Sequence, residues 1–161
     1  MTIPSRLQSY LDERDARYEV CTHPHSRTSV QTARTAHVPP HQLAKTVVVE
    51  DDAGCLTMAV LPSDRRVKLA DLSRLLGAKD LHLADRSRVD AMFGDCDPGA
   101  VPTFGMVWGV DTVVDDELEA GPSVYIECGD HERLLQMSHE QFHALMQDAR
   151  HGQFGAAEPL H

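Results

Sequence analysis

Residues 44–61 read Ala44-Lys45-Thr46-Val47-Val48-Val49-Glu50-Asp51-Asp52-Ala53-Gly54-Cys55-Leu56-Thr57-Met58-Ala59-Val60-Leu61, and this stretch decides the fold class. Thr46–Val49 is a run of four β-branched residues, which suits a buried strand because branched side chains pack well on a pleated surface. Asp51-Asp52-Ala53-Gly54 is turn chemistry, so Leu56–Leu61 returns as the second strand of a hairpin. Toward the N-terminus, Ile3, Leu7, Tyr10 and Leu11 recur at helical spacing. Tyr18–Thr22 is a short strand stopped by His23-Pro24-His25, and Thr28 or Ser29 caps a helix that runs to about His37, ahead of Pro39-Pro40. Toward the C-terminus, Leu69, Leu72, Leu75 and Leu76 mark a helix closed by Gly77. A short strand at Leu81–Leu83 and a short helix at Arg86–Phe93 follow. The turn-rich loop Gly94–Gly105 then leads into strands near Met106–Trp108 and Thr112–Val114. Val124–Glu127 and Arg133–Met137 form a last hairpin. Ser138 and Gln141 form a capping box for a final helix with Phe142, Leu145 and Met146 on its core face. Strands that arrive in hairpins, with helices between them at irregular intervals, indicate an α+β fold. The expected architecture is a single domain over residues 1–151, a curved, mostly antiparallel (mixed) β-sheet with flanking helices. Residues 152–161 are expected to be a flexible C-terminal tail.

The 161 residues, 42% apolar and 25% charged, match one ordinary globular domain and neither a disordered nor a fibrous chain. No apolar run approaches the ~20 residues that cross a bilayer, and the N-terminus lacks a signal-peptide core, so a cytoplasmic protein with no membrane partner is expected. Cys21, Cys55, Cys96 and Cys128 are scattered, which predicts free thiols. The net charge of −10 is concentrated at one end: residues 111–161 hold eleven of the 25 acids and two of the 15 bases. A polyanion-facing surface in the first two thirds is therefore compatible with the total. The best basic segment is 64–88, with Arg65, Arg66, Lys68, Arg74, Lys79, Arg86 and Arg88 against four aspartates.

Several motifs bear on chemistry. His139-Glu140-Gln141-Phe142-His143 fits H-E-x-x-H, the zinc-hydrolase pattern of two ligands four apart with a glutamate base. It starts directly at the Ser138 cap, however, and Ala149 stands where the extended motif carries a third histidine. Glu158 offers a third ligand only from the tail. Cys128-Gly129-Asp130-His131 has half the spacing of a zinc site and no second pair to complete it. Cys96 as a nucleophile needs a neighbouring base and a depressed pKa. Lys45 is one of only three lysines beside twelve arginines and stands at the mouth of the valine strand, where a compact ammonium can grip a phosphate or carbonyl oxygen. The loop Asp97-Pro98-Gly99-Ala100-Val101-Pro102-Thr103-Phe104-Gly105 can present backbone N–H groups to an oxyanion. Taken singly, Lys45 also reads as a solvated strand end and the loop as an ordinary turn.

In combination, His23-Pro24, the capped helix, Val38-Pro39-Pro40, Ala44-Lys45-Thr46 opening a valine strand, and the loop 97–105 follow one order and spacing. With these features the chain resembles the YbaK-like family, the free-standing relatives of the bacterial prolyl-tRNA synthetase editing domain, over residues 5–148. The resemblance implies hydrolysis, in trans, of the ester between a wrong amino acid and the 3′ end of a tRNA, without metal or other cofactor. It implies catalytic positions at Lys45, which would hold the 3′-terminal adenosine, at Gly99 in the loop, and at His131. It further implies substrate contacts from Thr46, Ala100, Val101, Pro102, Thr103 and Phe104. The bulk of Thr46, Val101, Phe104 and His131, around a loop that Ala100 keeps narrow, suggests a small pocket for an alanine- or serine-sized side chain. The implied partner is the aminoacyl end of a mischarged tRNA, with a synthetase as a second candidate partner and DNA excluded. The chain departs from the family where Thr103 takes the fifth loop position and proline comes one step earlier, at Pro102. A non-catalytic module that binds a tRNA end or a synthetase, and a zinc hydrolase through His139 and His143, stand as alternatives.

Overall fold

The computed structural model of the protein describes residues 3–157. In chain order its elements are α1 (Ser5–Glu13), β1 (Glu19–Thr22), α2 (Ser29–Thr35), β2 (Ala44–Glu50), β3 (Leu56–Pro62), β4 (Arg65–Val67), α3 (Leu69–Leu76), β5 (His82–Leu83), α4 (Arg86–Met92), β6 (Asp111–Asp115), β7 (Ser123–Glu127), β8 (Arg133–Ser138), α5 (His139–Leu145), β9 (Arg150–Gly152) and β10 (Gly155–Ala157). The valine strand and its return form the expected antiparallel hairpin, with Lys45 opposite Leu61 and Thr46 opposite Val60. This hairpin lies at the centre of a five-stranded sheet of order β5-β2-β3-β6-β9, in which β6 runs parallel to both β3 and β9. β1, β8 and β7 make a second, antiparallel sheet, linked to the first by a bridge between Leu43 and Tyr125. β4 and β10 pair separately.

Both faces of the central hairpin are covered, which is why Met58–Leu61 is apolar throughout rather than alternating. Side chains on successive strand residues point to opposite faces. Ala44, Val48, Met58, Val60 and Val114 therefore enter the main core with Leu7, Leu11, Phe104, Ile126, Leu135 and Phe142. Val47, Val49, Ala59, Leu61 and Val113 enter a second core beneath α3, with Leu72 and Phe154. At ~25 cal/mol per Å² of apolar surface, each fully buried Leu or Phe in these layers contributes about 1.5–3 kcal/mol. Caps follow the sequence: the hydroxyl of Thr28 accepts from Gln31 N, and that of Ser138 accepts from Gln141 N. The Gln141 side chain does not close a capping box but accepts from Arg17 N at 2.9 Å, tying α5 to the segment after α1.

Two sequence expectations are corrected here. Met106–Trp108 is not a strand but part of a 3₁₀ turn over Gly105–Trp108. A Cβ at Gly105 would lie 2.5 Å from Thr112 Oγ1, so only glycine allows the chain to fold back so tightly; Trp108 then docks on Phe93 and donates to Asp95. The tail expected to be flexible from residue 152 instead continues through β9 and β10. Phe154 is buried under α3, and the buried Asp115 carboxylate accepts from the N–H groups of Glu117, Phe154 and Gly155. Residues 158–161, the end of that expected tail and the place of Glu158, lie outside the described residues.

Candidate functional site

β2 starts where the 3₁₀ turn Pro40–Gln42 ends, and this places Lys45 and Thr46 at the edge of the central sheet. A cleft of about 80 Å³ opens there, lined by Ser29, Ala44, Lys45, Thr46, Gly99, Val101 and Glu127. Three consecutive strand residues line it, so it wraps the start of β2 and reaches backbone as well as side chains. The fold thus brings Lys45 and Thr46 together with Gly99 and Val101, which lie more than fifty residues further along the sequence. Larger depressions exist, one of about 310 Å³ near Asp51 and Arg150 and one of about 570 Å³ near Arg6 and Asp148, but neither contains a predicted site residue.

Gly99 sits at φ +83°, a conformation that favours glycine. The N–H groups of Asp97 and Ala100 are engaged by Gly129 O and Asp97 O. Among the described residues no hydrogen bond takes up the N–H of Gly99, Val101, Thr103, Phe104 or Gly105, and of these residues Gly99 and Val101 line the cleft. His131 plays a different part from the one expected. Its ring is buried beneath the loop, with Nε2 2.6 Å from Pro98 O, and a Cβ on Gly99 would lie 3.4 Å from its Cε1. Donation from Nε2–H to that carbonyl assigns the tautomer and leaves the buried Nδ1 without a partner. His131 itself is held at φ +59° by a turn in which Asp130 Oδ1 accepts from Glu132 N and Arg133 N. It props the loop from below rather than lining the cleft.

Phe104 and Thr103 are also displaced from their expected roles. The Phe104 ring lies 5.7 Å from Tyr10 and 6.1 Å from Phe142 in the main core, and Thr103 is buried with Oγ1 unpartnered. Ala100 and Pro102 are buried in the loop. Of the loop residues only Gly99 and Val101 line the cleft, and Val101 also packs in the main core.

Sequence reading missed Glu127, which ends β7 directly before Cys128-Gly129-Asp130-His131 and belongs to no motif of its own. One of its oxygens accepts from Thr32 Oγ1 at 3.4 Å, and Thr32 in turn shares a 2.6 Å hydrogen bond with Ser26. The other is buried without a partner. Burial, reinforced by nearby Asp130 and opposed by the Thr32 hydrogen bond, pushes the carboxyl up to about 7. The signal that could have found it is position alone, across the sheet edge from Lys45.

The rival chemistries fare differently. Burial pushes the thiols of Cys96 and Cys128 up to about 12, and Cys128 donates to Arg133 O, so neither is a poised thiolate. His131 faces Pro98, which breaks the Cys128-x-x-His131 pair. In H-E-x-x-H, His139 contacts Glu140 at 3.4 Å whereas His143 Nδ1 faces Glu119 at 2.7 Å, so the two histidines serve different partners. Part of the basic segment is used internally: Lys68 and Arg74 both pair with Asp71, and Arg88 with Glu50.

Among solved structures, 28 chains match significantly. The hypothetical protein APE2540 is 23% identical, with a TM-score of 0.81 over 94% of this chain and 99% of its own. A protein described as a candidate trans-editing enzyme for prolyl tRNA synthetase is 23% identical, with a TM-score of 0.79 over 97% of both chains. A candidate signal transduction protein from Marinobacter aquaeolei VT8 is 24% identical, with a TM-score of 0.73 over 96% of this chain but only 31% of its own, so the same fold also occurs as a module of a longer protein. No curated protein shows significant sequence similarity. The fold is thus shared at low identity, and the sequence itself carries the family signal: the profile described as the aminoacyl-tRNA editing domain matches residues 23–145, which span β2, the Gly99 loop, Glu127 and His131. The chain belongs to the aminoacyl-tRNA editing domain family.

Proposed function

We propose that the protein is a trans-acting deacylase that hydrolyses the ester of a small, wrongly attached amino acid at the 3′ end of a cytoplasmic tRNA. The observation that carries this reading is the convergence on one cleft of Lys45 with Gly99 and Val101, whose N–H groups no described residue engages, in a chain of the editing family. Editing domains remove amino acids that a synthetase pocket cannot reject by size alone. The candidate trans-editing relative, matched over 97% of both chains, supports action on a separate tRNA.

Each group has a task. The Lys45 ammonium binds the 3′-terminal adenosine or its phosphate and fixes the ester in the cleft. The N–H groups of Gly99 and Val101 donate to the carbonyl oxygen as it becomes an oxyanion under attack by water; the acyl–oxygen bond then breaks, and the proton lost by the water passes, with help from the vicinal hydroxyl, to the departing 3′-terminal ribose oxygen. An aminoacyl ester is already activated and its vicinal hydroxyl can assist, so the mechanism calls on no metal ligand. Glu127 sets the charge of the cleft wall: above about pH 7 its carboxylate favours the α-ammonium of the bound aminoacyl group. The cleft of about 80 Å³, narrowed by Thr46 and Val101, fits an alanyl or seryl side chain. The test is a panel of alanyl-, seryl-, cysteinyl- and larger aminoacyl-tRNAs. Small groups should be released fastest, with graded preferences, and Lys45→Ala should lower the rate at least ~100-fold in a folded protein. Binding without turnover, or undiminished turnover by Lys45→Ala, overturns the proposal.

A further inference from the structure

The second histidine of H-E-x-x-H is reused elsewhere in the fold. His143 on α5, His151 on β9 and Glu119, at the end of the 3₁₀ turn Asp116–Glu119 after β6, come from three separate segments. They offer ligand atoms that all lie within 4.8 Å of one another. The carboxylate of Glu119 faces both rings: Oε2 is 2.7 Å from His143 Nδ1, and Oε1 is 3.0 Å from His151 Nε2. The two rings lie 5.2 Å apart.

The other nitrogen of His151 shows how the ring is held. His151 Nδ1 is 3.2 Å from Ala149 O, so a backbone carbonyl orients the ring on one side while Nε2 faces Glu119 on the other. A histidine whose remote N–H is held by a backbone carbonyl while the near nitrogen faces a carboxylate matches the second-shell pattern of metal-ligating histidines. Glu119 is largely buried and His143 largely exposed, so a bound ion would retain open positions for water. Glu117, on the same turn, is engaged instead by His41, which also meets Asp64.

We propose that Glu119, His143 and His151 form a site for a zinc-class divalent cation that fastens the 150–157 segment to α5 and to the turn after β6. Two imidazoles and one carboxylate suit Zn²⁺ and disfavour Mg²⁺, which prefers all-oxygen octahedral sites. None of the three residues lines the Lys45 cleft, so the site is independent of the deacylase reading.

The experiment is calorimetric titration of the full chain with Zn²⁺ and, separately, Mg²⁺ at pH 7.5. One Zn²⁺ should bind per chain, Mg²⁺ should not, and Zn²⁺ should raise the thermal midpoint. His143→Ala and His151→Ala should each weaken binding at least ~10–100-fold, whereas His139→Ala should not change it. Because the His151 variant could disturb β9, proton NMR of the unaltered chain supplies a second readout. One equivalent of Zn²⁺ should shift the ring resonances of two of the ten histidines, assigned to His143 and His151. Equal binding by the parent and the His143→Ala/His151→Ala double variant, loss of binding in His139→Ala, or a shift of other histidines overturns the proposal. No binding at all overturns it equally.

Discussion

Replacing Glu127 by glutamine gives a quantitative test of the cleft's electrostatics. The carboxyl is about nine-tenths buried, has one long hydrogen bond and is pushed up to about 7 from 4.5. In the unfolded chain the same group ionises near 4.5. Between about pH 4.5 and 7 the folded state therefore keeps a proton that the unfolded state has lost, and stability falls as pH rises through that window. Below 4.5 both states are protonated and the group costs nothing; above about 7 both are ionised and the penalty is constant. At about 1.4 kcal/mol per pH unit, the full penalty is about 3 kcal/mol. Glu127→Gln abolishes it. The amide inherits the same poorly satisfied position and adds an offset of about 1–3 kcal/mol that does not change with pH. The diagnostic is thus the difference between variant and parent, which should shift in the variant's favour by about 3 kcal/mol from pH 4.5 to pH 8. Urea unfolding of both proteins at half-unit intervals measures it. Parallel stability curves, with the difference constant to within ~0.5 kcal/mol, would show that Glu127 ionises normally in the folded protein and would refute the reasoning.

Gly99→Ala puts a side chain at φ +83° and a Cβ 3.4 Å from His131, so it should cost about 1–3 kcal/mol and lower deacylation more than Lys45-independent binding of tRNA. Equal stability and activity in thermal melts and ester-release assays would refute the loop assignment. Thiol labelling at pH 8 should modify the exposed Cys55 first and leave Cys96 and Cys128 unreacted until unfolding, since burial holds both near 12. Mass-mapped labelling of Cys96 in the native state would contradict their placement.

Local signals carried much of the fold. β-Branched runs, the Asp-Asp-Ala-Gly turn, the Thr28 and Ser138 caps and the 3.6-residue spacing of Phe142, Leu145 and Met146 each act within a few residues, and each element they mark is present. The same order and spacing of Lys45 and the Gly99 loop made the family legible. What sequence could not supply is sidedness and long-range partnership. The parallel pairing of β6 with β3 and β9, and the docking of residues 150–157 on Asp115 and α3, depend on partners far along the chain. Within loop 97–105 every residue from Gly99 to Phe104 was a candidate. Only the packing of Phe104 between Tyr10 and Phe142, and of His131 beneath Pro98, separates the core-facing residues from those at the cleft. Glu127 shows the same limit: a glutamate has the same residue-level signal on any strand, and it becomes a group that titrates near neutrality only when tertiary packing removes its water.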